Sequence, residues 1–212
     1  MKKSIALVLC LALLVSLCLC GCGSEQDKLV GTWTATINLA DMVNEQVAAD
    51  DPTVGEYIQI SNLDVTFDLT FNESGTFAMT VDQEKLDVAL REMMNDMSDG
   101  LLEYLSAMLS LEGLDMDINT VLEMSGISLD DLLDEAYNSM VSDDLLANLD
   151  TYGYFYAKDG KLYTGDDQSA VKAGQAGYEL YQLENDVLTI DEGTIENDMA
   201  EYIYPMTFQK VK

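Results

Sequence analysis

Residues 63–81 read LDVTFDLTFNESGTFAMTV. Leu63, Val65, Phe67, Leu69 and Phe71 alternate with Asp64, Thr66, Asp68 and Thr70. A two-residue period puts the first set on one face of a strand and the second on the other. Asn72-Glu73-Ser74-Gly75 has turn chemistry, with Gly75 free to take positive φ. Phe77, Met79 and Val81 then resume the alternation. The stretch is a β-hairpin with one apolar and one polar face.

Similar strands lie on both sides of it. Trp33, Ala35 and Ile37 share one face of a strand over 30–39, and Thr32, Thr34 and Thr36 share the other. Residues 152–158 and 161–164 flank Asp159-Gly160, a strong short-hairpin signal. Residues 178–183 and 187–190 flank Glu184-Asn185-Asp186. A last strand over 202–211 contains Pro205, which suggests an edge or a bulge. Successive hairpins favour an up-and-down antiparallel sheet, and closing eight strands into a barrel removes exposed edges. The expected class is mainly β: an eight-stranded antiparallel barrel or curved sheet with an α-helical insertion.

The insertion, at about 83–149, falls between the third and fourth strands. Asp82 is a suitable N-cap for a helix over 83–111. Leu86, Leu90, Met93, Met94, Met97, Leu101, Leu105, Met108 and Leu109 repeat at helical spacing, and Gly100 is expected to kink or break the helix. A short helix is expected at 119–124. Ser128-Leu129-Asp130-Asp131 resembles a capping box opening a helix to about residue 149. A small helix at about 40–49 separates the first two strands, and the Gly/Ser/Ala-containing stretch 165–177 reads as a flexible loop.

Composition bounds the chemistry. The chain has 212 residues, 39 acidic and 10 basic, a formal charge of −29 and no histidine. Without histidine there are no His-dependent triads and no His-ligated zinc. Phosphate binding needs clustered Lys and Arg, so nucleic acid is not an expected partner. The acid is uneven: residues 84–150 hold 17 acidic and 2 basic residues, with 7 of the 12 methionines.

All four cysteines lie at the N-terminus: Cys10, Cys18, Cys20 and Cys22. Lys2 and Lys3 precede a nearly continuous apolar run over 4–19. That run suits a signal-peptide core and is short for a transmembrane helix. It ends in Leu19-Cys20-Gly21-Cys22, which resembles a bacterial lipobox. The resemblance implies a signal peptide over 1–21, cleavage before Cys22 and a thioether-linked lipid on Cys22. A tether over 22–28 would then lead into a domain over 29–212. The alternative is an uncleaved anchor helix. After cleavage 8 basic residues face 39 acidic ones, a net charge of −31. The single remaining cysteine is lipidated, so no disulfide is expected. The implied location is the extracytoplasmic face of a bacterial, Gram-positive cell membrane.

Gly31-Thr32-Trp33 near the start of the first strand is similar to the Gly-x-Trp opening of lipocalins and their relatives. The turn at 158–161, the strand entry at 185–190 and the ending Phe208-Gln209-Lys210-Val211 also resemble small lipocalin-like domains of Gram-positive lipoproteins. The resemblance spans about 29–39, 63–82 and 150–212. It implies that Trp33 plugs one end of a barrel and that Lys210 or Lys212 packs over it by a cation–π contact. The helical block departs from ordinary lipocalins, so their ligand mode does not carry over.

Other motifs have plainer explanations. Asp115-Met116-Asp117-Ile118-Asn119 starts like a calcium loop but lacks the later Gly and Glu, so a helix cap competes with it. Ser169-Ala170-Val171-Lys172 matches S-x-x-K without its companion motifs. Acidic pairs such as Asp130/Asp131 and Asp143/Asp144 suit a solvated helix face. Eight of the eleven tyrosines follow residue 150, suiting either sheet packing or a binding surface. No metal site, cofactor or catalytic residue is assigned, and an enzyme is not expected. The expected role is a membrane-anchored binding module for an apolar or amphipathic ligand held between barrel and helices. Phe67, Phe71, Phe77, Met93, Met97, Leu105 and Met108 are the candidate lining. The alternative is an envelope interaction protein whose acidic helical face meets a cationic partner.

Overall fold

The computed structural model describes residues 24–114, 116–140, 150–195 and 200–212. The expected signal peptide, the expected lipidation position Cys22, Asp115 and residues 141–149 of the expected insertion lie outside the described residues.

Eight strands close into a barrel in chain order: β1 (Gly31–Asn38), β2 (Asp64–Phe71), β3 (Thr76–Val81), β4 (Thr151–Lys158), β5 (Lys161–Gly165), β6 (Tyr178–Glu184), β7 (Val187–Asp191) and β8 (Met206–Lys210). Every neighbouring pair is antiparallel, and β1 closes the ring on β8 through Trp33↔Lys210 and Thr34↔Gln209. This is the expected up-and-down barrel with a helical insertion.

The alternation sets which side chains face inward. Trp33, Ala35 and Ile37 pair with Leu69, Phe67 and Val65 on the inner face. Thr32–Thr70 (3.1 Å) and Thr36–Thr66 (3.0 Å) join their hydroxyls on the opposite face. The expected turns carry the left-handed residues: Asp159 at φ 53°, Asn185 at 49° and Asp186 at 64°. Trp33, Leu69, Phe71, Phe155, Leu162, Leu188, Ile190 and Phe208 are the centre of the barrel core. Gly153 faces inward, where a Cβ would come 2.8 Å from the Gly165 carbonyl oxygen and 3.0 Å from the Phe77 ring. A larger residue there would push against both.

One barrel end is closed by the N-terminal helix α1 (Glu25–Leu29). Ser24 and Asp27 form its capping box, so residues 25–28 are helical rather than part of a tether. Leu29 is fully buried, and its carbonyl accepts the Trp33 Nε1–H bond at 2.7 Å. Lys210 Nζ sits 4.9 Å from the Trp33 ring centroid.

The helices gather at the opposite end, beside β1–β3. They are α2 (Ala40–Asp50), α3 (Pro52–Tyr57), α4 (Gln83–Leu111), α5 (Ile118–Ser125) and α6 (Leu129–Met140). Asp82 accepts the Lys85 N–H and caps α4 as expected. The Ser128–Asp131 capping box forms: Asp131 N–H donates to Ser128 Oγ at 3.0 Å, and Ser128 N–H donates back at 3.1 Å. Leu86, Ala89, Leu90, Met93 and Met94 of α4 join Ala40, Ile60, Leu63, Val65, Val81 and Tyr137 in a second apolar core.

Three local expectations are corrected. Gly100 does not break α4, which runs unbroken from Gln83 to Leu111. The glycine is there for closeness: a Cβ would lie 2.2 Å from the Tyr57 carbonyl oxygen. The stretch 165–177 is not a free loop. It contains α7 (Gln168–Lys172), capped by Asp167, and Val171 is 1% exposed. An apolar side chain buried this fully ties the segment to the barrel. The last strand begins at Met206, not 202. A short helix, α8 (Ala200–Ile203), precedes it, and Pro205 sits just before β8, where its missing N–H costs no ladder bond.

Candidate functional site

A cavity of about 250 Å³ opens inside the barrel, away from the Trp33 end. Its walls are Leu69, Phe71, Phe77, Met79, Thr151, Leu162, Thr164, Glu179, Ile190, Ile195, Tyr204, Met206 and Phe208. Strand position orders them by depth. Phe71, Phe77, Leu162 and Phe208 lie toward the closed end and belong to the packed core or border it. Thr151, Thr164, Glu179 and Met206 stand at strand ends near the mouth. Ile195 and Tyr204 come from the connection between β7 and β8.

Glu179 is the one charged side chain in this wall. Its inward direction follows from register: Leu162 pairs with Glu179, Tyr181 with Ile190, and Leu183 with Leu188. All of these share the inner face. The Tyr204 hydroxyl donates a hydrogen bond to Glu179 Oε1. Burial pushes the Glu179 carboxyl above the ordinary glutamate range, and the Tyr204 bond partly offsets the shift. Among the described residues Glu179 has no ion-pair partner; the two ion pairs present are Lys85–Asp82 and Arg91–Asp87.

The rim near Glu179 is built by close backbone contact. Thr194 N–H donates to the Tyr178 carbonyl at 2.7 Å, and Tyr178 N–H donates to Thr194 Oγ1 at 3.1 Å. A Cβ on Gly193 would lie 1.9 Å from the Tyr178 carbonyl oxygen, so only glycine permits this approach. These contacts fix Ile195 over the start of β6, where a Gly177 Cβ would come within 2.9 Å of it.

The seven residues expected to line one pocket are not together. Phe71 and Phe77 line the barrel cavity. Phe67 touches both apolar cores but not this cavity. Met93 is 1% exposed inside the second core, and Met97 packs against that core. Leu105 is half-buried farther along α4, and Met108 is exposed. The α4 methionines Met93 and Met97 are therefore spent in the second core, and the groove of about 520 Å³ that does lie between β1–β2 and α4 is walled instead by Thr36, Thr66, Lys85, Val88, Ala89 and Glu92. Glu179 is the charged wall residue that sequence reasoning missed, while Tyr204 belongs to the tyrosine set left open between packing and binding. The Asn185-Asp186 turn could have revealed Glu179, because counting back from it places that residue inward.

The tyrosines divide by face. Tyr156, Tyr163 and Tyr178 stack along the outer face of β4–β6, with centroid separations of 6.3 and 5.5 Å, and Lys161 lies 4.2 Å over Tyr178. Tyr181 and Tyr204 pack against the barrel core. Asp117, from the calcium-like stretch, accepts from the N–H groups of Asn119 and Thr120 and caps α5. Ser169 Oγ donates to Asp167 Oδ1 at 2.7 Å as part of the α7 cap. Between α4 and α6, Asp87 accepts from Tyr137 and from Arg91, whose guanidinium sits 4.2 Å over the Tyr137 ring. That hydrogen bonding holds the Asp87 carboxyl below its ordinary range, Tyr137 being the larger cause. Among the described residues no cluster of His, Cys, Asp and Glu has a metal-binding arrangement, and no helix is long and apolar enough to cross a membrane.

No protein-family model matches this chain, and neither a curated protein nor a solved structure matches it.

Proposed function

We infer that the chain is a membrane-anchored, extracytoplasmic binding module for a small apolar or amphipathic ligand held in the barrel mouth. The observation that carries this reading is the cavity: apolar and aromatic walls with one carboxyl, one phenol and two threonines near its opening. Few polar groups on an otherwise apolar concave wall are the usual make-up of a small-molecule site. At about 250 Å³ the space is smaller than a drug-sized pocket, and an engineered cavity of about 150 Å³ holds benzene. One ring with a short chain fits this scale better than a long lipid. The reading does not include catalysis. The wall has one carboxyl where glycoside hydrolysis needs two.

The lipobox resemblance supplies the anchor and the location. Ser24 starts α1 at the closed barrel end, two residues after Cys22, and two residues span about 7 Å at most. A lipid on Cys22 would hold the closed end at the membrane and turn the mouth outward. Native mass spectrometry of gently purified protein tests the binding: a retained small molecule supports it. Repeated recovery of empty protein that takes up no small aromatic probe contradicts it.

A second reading draws on the exposed acids of the insertion, including Glu92, Asp96, Asp99, Glu103, Glu123 and Asp134. An interaction protein using this face would hold a cationic partner with an affinity that falls steeply with salt. A pull-down without any salt-sensitive partner counts against it.

A further inference from the structure

The cavity wall joins two features that rarely meet without a reason: an inward carboxylate and a surrounding of phenylalanine, leucine and methionine. Glu179 is half-buried, and an ionised carboxylate set against apolar walls is normally paired. Among the described residues no Lys or Arg pairs with Glu179, and its recorded partner is the Tyr204 hydroxyl. An ionised carboxylate has about four acceptor sites, so one donor leaves most of its capacity for something inside the cavity. Resting on the ligand-site reading above, we propose that the barrel mouth binds a small organic cation, an amine whose ammonium pairs with Glu179 while its apolar body lies against Phe71, Phe77 and Phe208.

Two physical arguments converge on the sign of the ligand. An ammonium supplies donors beyond the one Glu179 has among the described residues, and charge-assisted hydrogen bonds are the stronger kind. The −29 formal charge of the chain raises the local concentration of cations and repels anionic amphiphiles before they reach the mouth. A fatty carboxylate would face both that field and Glu179 itself, an arrangement that rejects the wrong partner as well as selecting the right one. The raised proton affinity of the free carboxyl agrees with a group whose counter-ion arrives with the ligand.

The test uses the full-length protein and three probes of one shape: 2-phenylethylamine, 2-phenylethanol and 3-phenylpropionate. Binding is measured by isothermal titration calorimetry on wild type, Glu179→Gln and Tyr204→Phe. Far-UV circular dichroism and Trp33 fluorescence establish that both variants fold. The proposal expects the amine to bind wild type about tenfold to a hundredfold more tightly than the alcohol, the range of a hydrogen bond to a charged group. It expects the carboxylate to bind weakest. Glu179→Gln should erase the preference for the amine while the alcohol still binds. Tyr204→Phe should keep the preference, because the carboxylate remains. Equal binding of amine and alcohol by wild type, or an amine preference that survives Glu179→Gln, overturns the proposal and leaves the cavity as a neutral site. Failure of all three probes to bind at millimolar concentration overturns both the proposal and the ligand-site reading.

Discussion

Replacing Gly100 by alanine sets two effects against each other, and the structure says which wins. In an exposed helix interior alanine is favoured over glycine by about 1 kcal/mol. At position 100 the added methyl would lie 2.2 Å from the Tyr57 carbonyl oxygen, 3.0 Å from the Tyr57 carbonyl carbon and 3.3 Å from Ile58 Cα. Carbon atoms pack at about 3.5–4.0 Å, so α4 and the end of α3 must separate by roughly an ångström. All three contacts are backbone, so no side chain can rotate aside. Overpacking of this kind costs about 1–3 kcal/mol, sometimes more, and backbone contacts belong at the upper end. The net expectation is a loss of about 1–2 kcal/mol, lowering the melting temperature by about 2–8 °C for a chain of this size. Separation would also weaken the Tyr57–Tyr104 edge contact, whose centroids lie 5.9 Å apart. The assay is urea denaturation followed by far-UV circular dichroism, which reports the helices, and by fluorescence of Trp33, the single tryptophan, which reports the barrel. Asp99→Ala, exposed on the same helix, gives the propensity effect without the clash and should be neutral or mildly stabilising. A Gly100→Ala protein as stable as wild type, or more stable, would refute the close-approach explanation and restore the glycine to a propensity defect.

Val171→Ala should cost about 2 kcal/mol, as expected for truncating a buried aliphatic side chain, and should open 165–177 to limited proteolysis; unchanged stability and resistance would mean α7 is not docked. Trp33→Phe removes the Nε1–H bond to the Leu29 carbonyl and should cost about 1–3 kcal/mol in urea denaturation, whereas Lys210→Met, losing a partly exposed cation–π contact, should cost about 0.5–1 kcal/mol. Glu179 sets a pH dependence of definite sign. Its folded carboxyl is raised above its ordinary value of 4.5, so the native state holds the proton more tightly and stability falls as pH rises from that value through the folded one. Glu179→Gln should remove that fall, so the stability of wild type relative to the variant should decline with rising pH; a difference that stays flat would show that Glu179 is not desolvated.

The barrel was legible because its signals are local and repeat. The alternation at 63–71, the Gly75 turn and the Asp159-Gly160 and Asn185-Asp186 corners each fix a face or a register, and eight such strands leave few ways to arrange a closed sheet. The helix caps at Asp82 and Ser128 were equally plain, since each is a short-range hydrogen bond. What escaped depends on neighbours far along the chain. Gly100 reads as a breaker until Tyr57 is known to lie against it. The 165–177 stretch reads as a linker because its small residues conceal one anchor, Val171. The residues expected to line one pocket are dispersed for a similar reason. The Met-rich face of α4 carries a strong helical signal, but that face is spent on Val65, Val81 and Ile60 in the second core. Glu179 stood in a strand where polar and apolar residues alternate imperfectly, and its inward direction appears once the register is counted from the turn.

The central claim is that the hollow beside Glu179, and not the helical face, receives a ligand. Methyl-labelled protein titrated with 2-phenylethylamine and followed by two-dimensional NMR tests it most directly. The cavity wall carries methyl reporters in Met79, Ile190, Ile195 and Met206, and α4 carries others in Met93, Met97 and Met108. Saturable shifts confined to the first four, absent in Glu179→Gln, are the predicted result; still wall methyls, or shifts centred on the α4 methionines, would contradict it.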